Sequence, residues 1–449
     1  MRSETRRLLA QVETALERDE AESLKTLLPE VHPADIAEVL DALDDEERLS
    51  VFRLLDDDLA GEVLDECAES TRAVLVGQIR DEDLSEIVET MPPDDAADIL
   101  AEMPEARAEQ VLGLMDREEA EEAKELLRHP DDTAGGIMTS VLVAVEENKT
   151  VDEAIDQIRE SAAEEAVFYV FVVDPERRLV GEVELSKIVT AQPGTPIRQI
   201  TDTDVISVTV DTDQEKVAHM LTRYDLVAIP VVDHAGKLVG RVTFDDVAEV
   251  LEEEATEDAY KQAGTADEEL MSSSPLHVAR VRLPWLLLCL VGTFVAVLVV
   301  RAFEGVRERV IMLGAFIPMI MAMGGNTGLQ STAVTVRGLA TGHLSMSRVA
   351  ATVGREASTG GVIGVICGLI AAVAALVFSG DPVLALVVGI SIFWAVFFAA
   401  TLGVLIPFFF VKIGIDPAVA SGPLITTLND CIGVAIYLGL ATVLLQYLR

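Results

Sequence analysis

DPAVASGPLITTLNDCIGVAIYLGLATVLLQYLR, residues Asp416 to Arg449, is mostly apolar and long enough to cross a bilayer, with Asp430 well inside it. An ionised carboxylate there costs at least about 2.5–3.5 kcal/mol on insertion scales. Such a residue usually faces a bundle interior or a water-filled path, and marks an ion or proton route. Gly422, Pro423, Thr426, Thr427 and Asn429 surround it. Pro423 is expected to free the carbonyl of Val419, and oxygen ligands beside a carboxylate suit a hard cation. The structural alternative is a protonated carboxylate, or one paired with an Arg of a neighbouring span. The spans offer little for such pairing, because their basic residues lie near the ends.

Four more apolar runs precede this one: Leu283–Ala302, Val310–Gln330, Ala357–Ser379 and Val383–Val411. Five transmembrane helices are therefore predicted. Arg280, Arg282, Arg337, Arg348, Arg355 and Lys412 all fall on one side, which the positive-inside rule makes cytoplasmic. Arg301, Arg307 and Arg309 are a mild counter-signal outside, where the C-terminus then also lies. The second span contains Pro318 and ends in GGNTGLQ (Gly324–Gln330). Its glycines and the oxygens of Asn326, Thr327 and Gln330 suggest broken backbone lining a cavity, or a helix-packing motif. Asp416, before Pro417, reads as an N-cap or as a carboxylate near the cytoplasmic mouth, roughly 21 Å from Asp430 along a helix.

Charge is divided very unevenly along the 449 residues. The first 275 carry 24 basic and 70 acidic residues, a net of −46, against +4 for the remainder. No uncharged apolar run in the acidic part could span a bilayer, and no apolar signal-peptide core opens it, so it is expected in the cytoplasm. Such an excess argues against nucleic acid or anionic lipid as partners and favours cations. A salt-adapted host is a second cause that suits the scarcity of Lys (8 of 34 basic residues). The four cysteines show no metal spacing or disulfide framework, and no catalytic constellation or Walker A motif is visible, so an enzyme is not expected.

Residues 1–130 read as a helical repeat. HPADIAEVLDAL (His32–Leu43) returns as PPDDAADILAEM (Pro92–Met103), and Glu38, Glu62 and Glu86 recur at 24-residue intervals. Stacked short helices would produce this, with Pro33 and Pro93 at helix starts. Capping and a solvated face explain any single acid here; ion binding is argued from their number. Asp94 and Asp98, four apart, share a helix face and repel without a counter-ion.

Residues 131–248 contain a second repeat. VFVVDPERRLVGEVELSKIV (Val170–Val189) is echoed by IPVVDHAGKLVGRVTFDDVA (Ile229–Ala248) at an offset of 59, each reading strand, turn, strand, helix. The pattern resembles the tandem CBS pair, or Bateman module. Many such modules bind ATP or another adenine nucleotide through G-h-x-T-x-x-D. Gly240, Thr243 and Asp246 match that spacing; the first copy, with Gly181, Glu184 and Lys187, departs from it. Residues 249–275 form a connector whose Glu249, Glu252, Glu253, Glu254, Glu257 and Asp258 have only Lys261 nearby.

Acidic helical repeat, CBS pair, acidic connector and five spans together resemble the MgtE family of magnesium channels. GGNTGLQ and DPAVASGPLITTLND carry the likeness most specifically, with MPPDDAADIL and DDVAEVLEEEATED in support. The implied fold is a multidomain membrane protein. It has an all-α superhelical N domain (1–130), an α/β tandem CBS module (131–248), a connecting helix (249–275) and a five-helix α transmembrane domain (276–449). The resemblance further implies a multi-pass homodimer in the cell membrane, with its pore on the dimer axis. Asp430 would be the pore carboxylate, with Asn326 and Asp416 along the path. Cytoplasmic Mg2+ would be sensed by Glu62, Asp94 and Asp98, by Glu215, Asp225, Asp246 and Glu249, and by Glu254, Glu257 and Asp258. The competing expectations are a secondary transporter exchanging Mg2+ or Co2+ for Na+ or H+, and a membrane sensor that transports nothing.

Overall fold

A computed structural model describes residues 3–18, 20–161, 167–266, 269, 274–304, 312–419 and 422–444. The chain divides into two compact units, Met1–Glu252 and Glu253–Arg449.

The first unit opens with α1 (Ser3–Glu17) and α2 (Ala21–Leu27). Eight short helices follow: α3 (Pro33–Ala42), α4 (Asp45–Phe52), α5 (Asp57–Glu66), α6 (Glu69–Gln78), α7 (Asp81–Glu89), α8 (Pro93–Ala101), α9 (Glu105–Leu112) and α10 (Arg117–Leu126). Their first residues fall every 12 positions, from 33 to 117. The 24- and 60-residue echoes are multiples of this spacing, and alternate helices pack on one another as α3–α5–α7–α9. Leu40, Leu64, Val88 and Leu112, 24 apart, all lie in one core. Pro33 and Pro93 open α3 and α8 as expected. Some acids are caps: Asp44 accepts from the backbone amides of Glu46 and Glu47 at 3.1 and 3.0 Å, and Asp56 from that of Leu59 at 3.1 Å.

Two three-stranded sheets follow in the same unit. The first is β1 (Ala144–Glu146), β2 (Tyr169–Val173) and β3 (Leu179–Glu184); the second is β4 (Val208–Thr209), β5 (Ala228–Val232) and β6 (Leu238–Thr243). In each, a parallel pair is extended by an antiparallel one. α11 (Val151–Ser161) and α12 (Leu185–Thr190) belong to the first copy and α13 (Gln214–Tyr224) to the second, while α14 (Phe244–Ala263) starts in the second copy and continues from Glu253 as part of the second unit. The copies meet through equivalent residues: Arg178 bridges Lys237, and the Leu179 and Leu238 amides donate to Gly236 and Arg177. The 59-residue offset is thus a local two-fold relation.

Among its described residues the second unit holds five helices long and apolar enough to cross a membrane: α15 (Pro275–Ala302), α16 (Met312–Ala340), α17 (Val349–Ser379), α18 (Pro382–Lys412) and α19 (Gly422–Val443). α18 is the most enclosed and packs on α16, α17 and α19; α15 rests on α19. Small residues let the backbones approach. A Cβ on Gly364 or Gly368 of α17 would sit 2.9 or 2.6 Å from the carbonyl oxygens of Phe393 and Gly389 on α18.

Two local expectations are corrected. GGNTGLQ does not break its helix; α16 runs on to Ala340. Thr327, Thr332 and Thr335 donate to carbonyls four residues back, and the glycines pack against neighbouring helices, so helical bonding is retained. Pro423 opens no carbonyl within a span, because α19 begins at Gly422 and Pro417–Val419 form a separate 3-10 turn. Pro in a first turn removes no intrahelical bond. Arg307, Arg309, residues 270–273 of the connector and the chain beyond 444 lie outside the described residues.

Gly368→Val should therefore wedge α17 from α18 and lower the thermal midpoint in detergent, by about 5 °C. Gly361→Val, whose Cβ meets nothing within 4 Å, should leave the midpoint unchanged.

Candidate functional site

Asp430 lies in the ninth position of α19, half-buried. Among the described residues its carboxylate has no ion pair, so the expected alternative of an Arg partner finds no support. The helix is held by close approaches on either side of it. A Cβ on Gly325 would touch Thr426, and one on Gly328 would overlap the Asn429 amide and Ile425. On the α15 side, Gly292 leaves no room for anything beyond hydrogen against Thr427. Asn429 is 3% exposed, and its amide nitrogen has no hydrogen-bond partner among the described residues. The glycines of GGNTGLQ therefore form the seam with α19, which fits the packing reading. Asn326 is exposed instead, with Ala322 and Gln330 one turn away on the same open face.

Asp416 is both a cap and an ion-pair partner. Its Oδ1 accepts from the Ala418 amide at 2.8 Å, and its Oδ2 lies 2.8 Å from Lys261 Nζ. Lys261 also pairs with Glu257 at 2.7 Å. Burial and then the Asp416 charge push the Asp258 carboxyl up to about 6, against the opposing charges of Lys261 and Arg337. Glu254 adds to the repulsion. The connector and the segment that precedes α19 thus share one electrostatic cluster, through Glu254, Glu257, Asp258 and Asp416.

A second cluster lies in the first unit. Burial, then Asp65, Asp94, Asp246 and Asp98, push the Asp95 carboxyl from its ordinary 3.8 up to about 9. Asp65 is raised as well, by burial, against the lowering charge of Arg72. Asp94 is 8% exposed, whereas Asp98 and Glu62 are exposed. Asp94, Asp98 and Asp246 all lie close enough to act on the Asp95 carboxyl. Asp65 and Asp95 escaped the sequence reading, although Asp95 stands between two residues that it named. Arg72, paired with Glu102, is a basic group within reach of Asp65 and Asp98.

The remaining candidates are spread out. Glu215 lies in the first turn of α13, Asp225 is the left-handed C-cap of that helix with φ 53°, and Glu249 is exposed on α14. Asp accepts a left-handed cap readily. Asp246 has a local task too. Its Oδ2 accepts from the Thr243 hydroxyl at 2.7 Å and amide at 3.0 Å, a capping box at the start of α14. A Cβ on Gly240 would lie 2.6 Å from Met138 Sδ and 2.8 Å from the Thr139 carbonyl oxygen. Gly240, Thr243 and Asp246 therefore have structural reasons beside the ribose motif. Among the described residues no three His, Cys, Asp or Glu side chains converge on a single ion position.

Comparison with known proteins agrees with this architecture. Residues 317–440 match MgtE, a divalent cation transporter; residues 31–132 match the MgtE intracellular N domain; residues 134–194 and 197–253 match CBS domains. The magnesium transporter MgtE of Thermus thermophilus is 35% identical over 98% of this chain and 99% of its own. The crystal structure of the soluble part of a magnesium transporter aligns at 31% identity and TM-score 0.51, over 56% of this chain and 99% of that one. The cytosolic domain of the Mg2+ channel MgtE in complex with ATP aligns at 36% and TM-score 0.52, over 54% and 99%. By full-length similarity and by the order of its domains, the chain belongs to the MgtE family of divalent cation transporters.

Proposed function

We propose that the chain forms a Mg2+ channel of the cell membrane, closed from the cytoplasm by the ion it conducts. The observation that carries the reading is Asp430: a half-buried carboxylate in a membrane-spanning helix, without an ion-pair partner among the described residues. Mg2+ sheds its waters reluctantly. A pair of Asp430 side chains, one from each copy of a homodimer, would recognise the hydrated ion by outer-sphere contacts. The exposed polar face at Asn326 and Gln330 favours a second copy or a water path over lipid. Asp416 would stand at the cytoplasmic end, with the first unit in the cytoplasm and the C-terminus outside.

Gating follows from the acidic clusters. Mg2+ near Asp94, Asp95, Asp98 and Asp246, with Glu62 as a further ligand of the helical domain, would relieve their repulsion. Glu215, Asp225 and Glu249 would add ligands on the CBS pair, and Glu254, Glu257 and Asp258 on the connector. Since the ion favours the compact arrangement, rising Mg2+ shifts the population to the closed state. That a relative's cytosolic domain was solved in complex with ATP supports reading Gly240, Thr243 and Asp246, at the G-h-x-T-x-x-D spacing, as nucleotide contacts. A nucleotide there would share Asp246 with the capping box and with the cation.

Asp430→Asn should cut Mg2+ flux into proteoliposomes by about tenfold or more while the protein elutes as before. Normal flux would remove Asp430 from the path. Asp95 supplies a pH test. Its folded carboxyl holds a proton up to about pH 9, whereas an unfolded Asp releases it near 3.8. Stability from this group is fullest at low pH and falls as pH rises through that window. In EDTA the thermal midpoint of the first unit should drop between pH 6 and 9, and Asp95→Asn should remove about 2–4 °C of the drop. Parallel pH curves for the two proteins would contradict the cluster.

A further inference from the structure

Lys261 is the one basic residue of α14, which ends two residues later. Its ammonium joins Glu257, one turn back, to Asp416, 155 positions on, at 2.7 and 2.8 Å. All three side chains keep partial exposure, at 30%, 42% and 39%. The contact continues beyond the charges. A Cβ on Gly422 would lie 3.1 Å from the Gln262 carbonyl oxygen. Gly264, left-handed at φ 76°, approaches Pro423 and Trp285 so closely that its own Cβ would sit 3.0 Å from Pro423 Cγ. The end of the connector is therefore seated on the first turn of α19, the helix that carries Asp430.

A bound divalent cation would join the connector carboxylates to Asp416 in the same way. Lys261 does so with a charge the chain supplies itself. We propose that the Lys261 ammonium is a tethered cation that holds the connector on Asp416 and keeps a share of the molecules closed when no Mg2+ is bound. It positions the connector and sets the resting level from which Mg2+ closes the rest. This rests on the channel reading above.

The test is Mg2+ influx into proteoliposomes with the connector side chelated, comparing wild type, Lys261→Gln and Lys261→Arg. Loss of the ammonium should raise initial influx about three- to fivefold, the scale of partly exposed ion pairs. Lys261→Arg, which keeps the charge, should stay at the wild-type level. Unchanged or reduced influx in Lys261→Gln, with Mg2+ still closing both proteins, overturns the inference. A wild type that connector-side Mg2+ never closes overturns the channel reading, and this inference with it. A second readout needs no flux. In EDTA, acetylation of Lys261 in the full-length chain by an N-hydroxysuccinimide ester, followed by mass spectrometry, should run severalfold faster in Asp416→Asn than in wild type. Equal rates would show that the pair does not hold in solution, and would overturn the tether.

Discussion

Repulsion between carboxylates is the constraint on which the molecule depends. Seventy acidic residues against 24 basic ones must be folded into the first 275 positions. Part of the charge is used locally, as at Asp44 and Asp56, whose side chains satisfy helix N-termini. Part cannot be used so. Asp65, Asp94, Asp95 and Asp98 are gathered, with the capping Asp246 beside them, where burial and their charges push the Asp95 carboxyl up to about 9. In such a cluster the charge of Arg72 offsets only part of the repulsion, and burial does the rest by favouring the protonated form of Asp95.

The membrane unit answers a different constraint. Lipid tails are as apolar as Leu, so its helices are held by close packing rather than by escape from water. Glycines at the α17–α18 and α16–α19 contacts supply that closeness. The same packing that fixes α19 from both sides also fixes the height of Asp430. On the connector, burial and the Asp416 charge raise the half-buried Asp258 carboxyl to about 6.

Much of this was legible in the sequence because it repeats or is expensive. Helical spacing, the 59-residue offset of the CBS copies and the five spans follow from periodicity and hydropathy. Asp430 declared itself by its cost. Contacts between distant segments were not legible. Nothing near Asp95 in sequence tells that Asp65 and Asp246 face it, and nothing near Lys261 points to Asp416. GGNTGLQ was ambiguous for a physical reason. Glycines that break a helix in water also let helices touch in lipid, and only the partner helix decides between the two. Pro423 misled in the same way, since its effect depends on whether it falls inside a helix or at its start.

The most direct test is the dependence of reconstituted Mg2+ flux on Mg2+ at the face carrying the acidic unit. A channel closed by its own ion predicts flux that is passive, needs no Na+ or H+ gradient and falls as Mg2+ on that face rises. Flux that grows with Mg2+ on that face, or stops when a counter-ion gradient is removed, would contradict it.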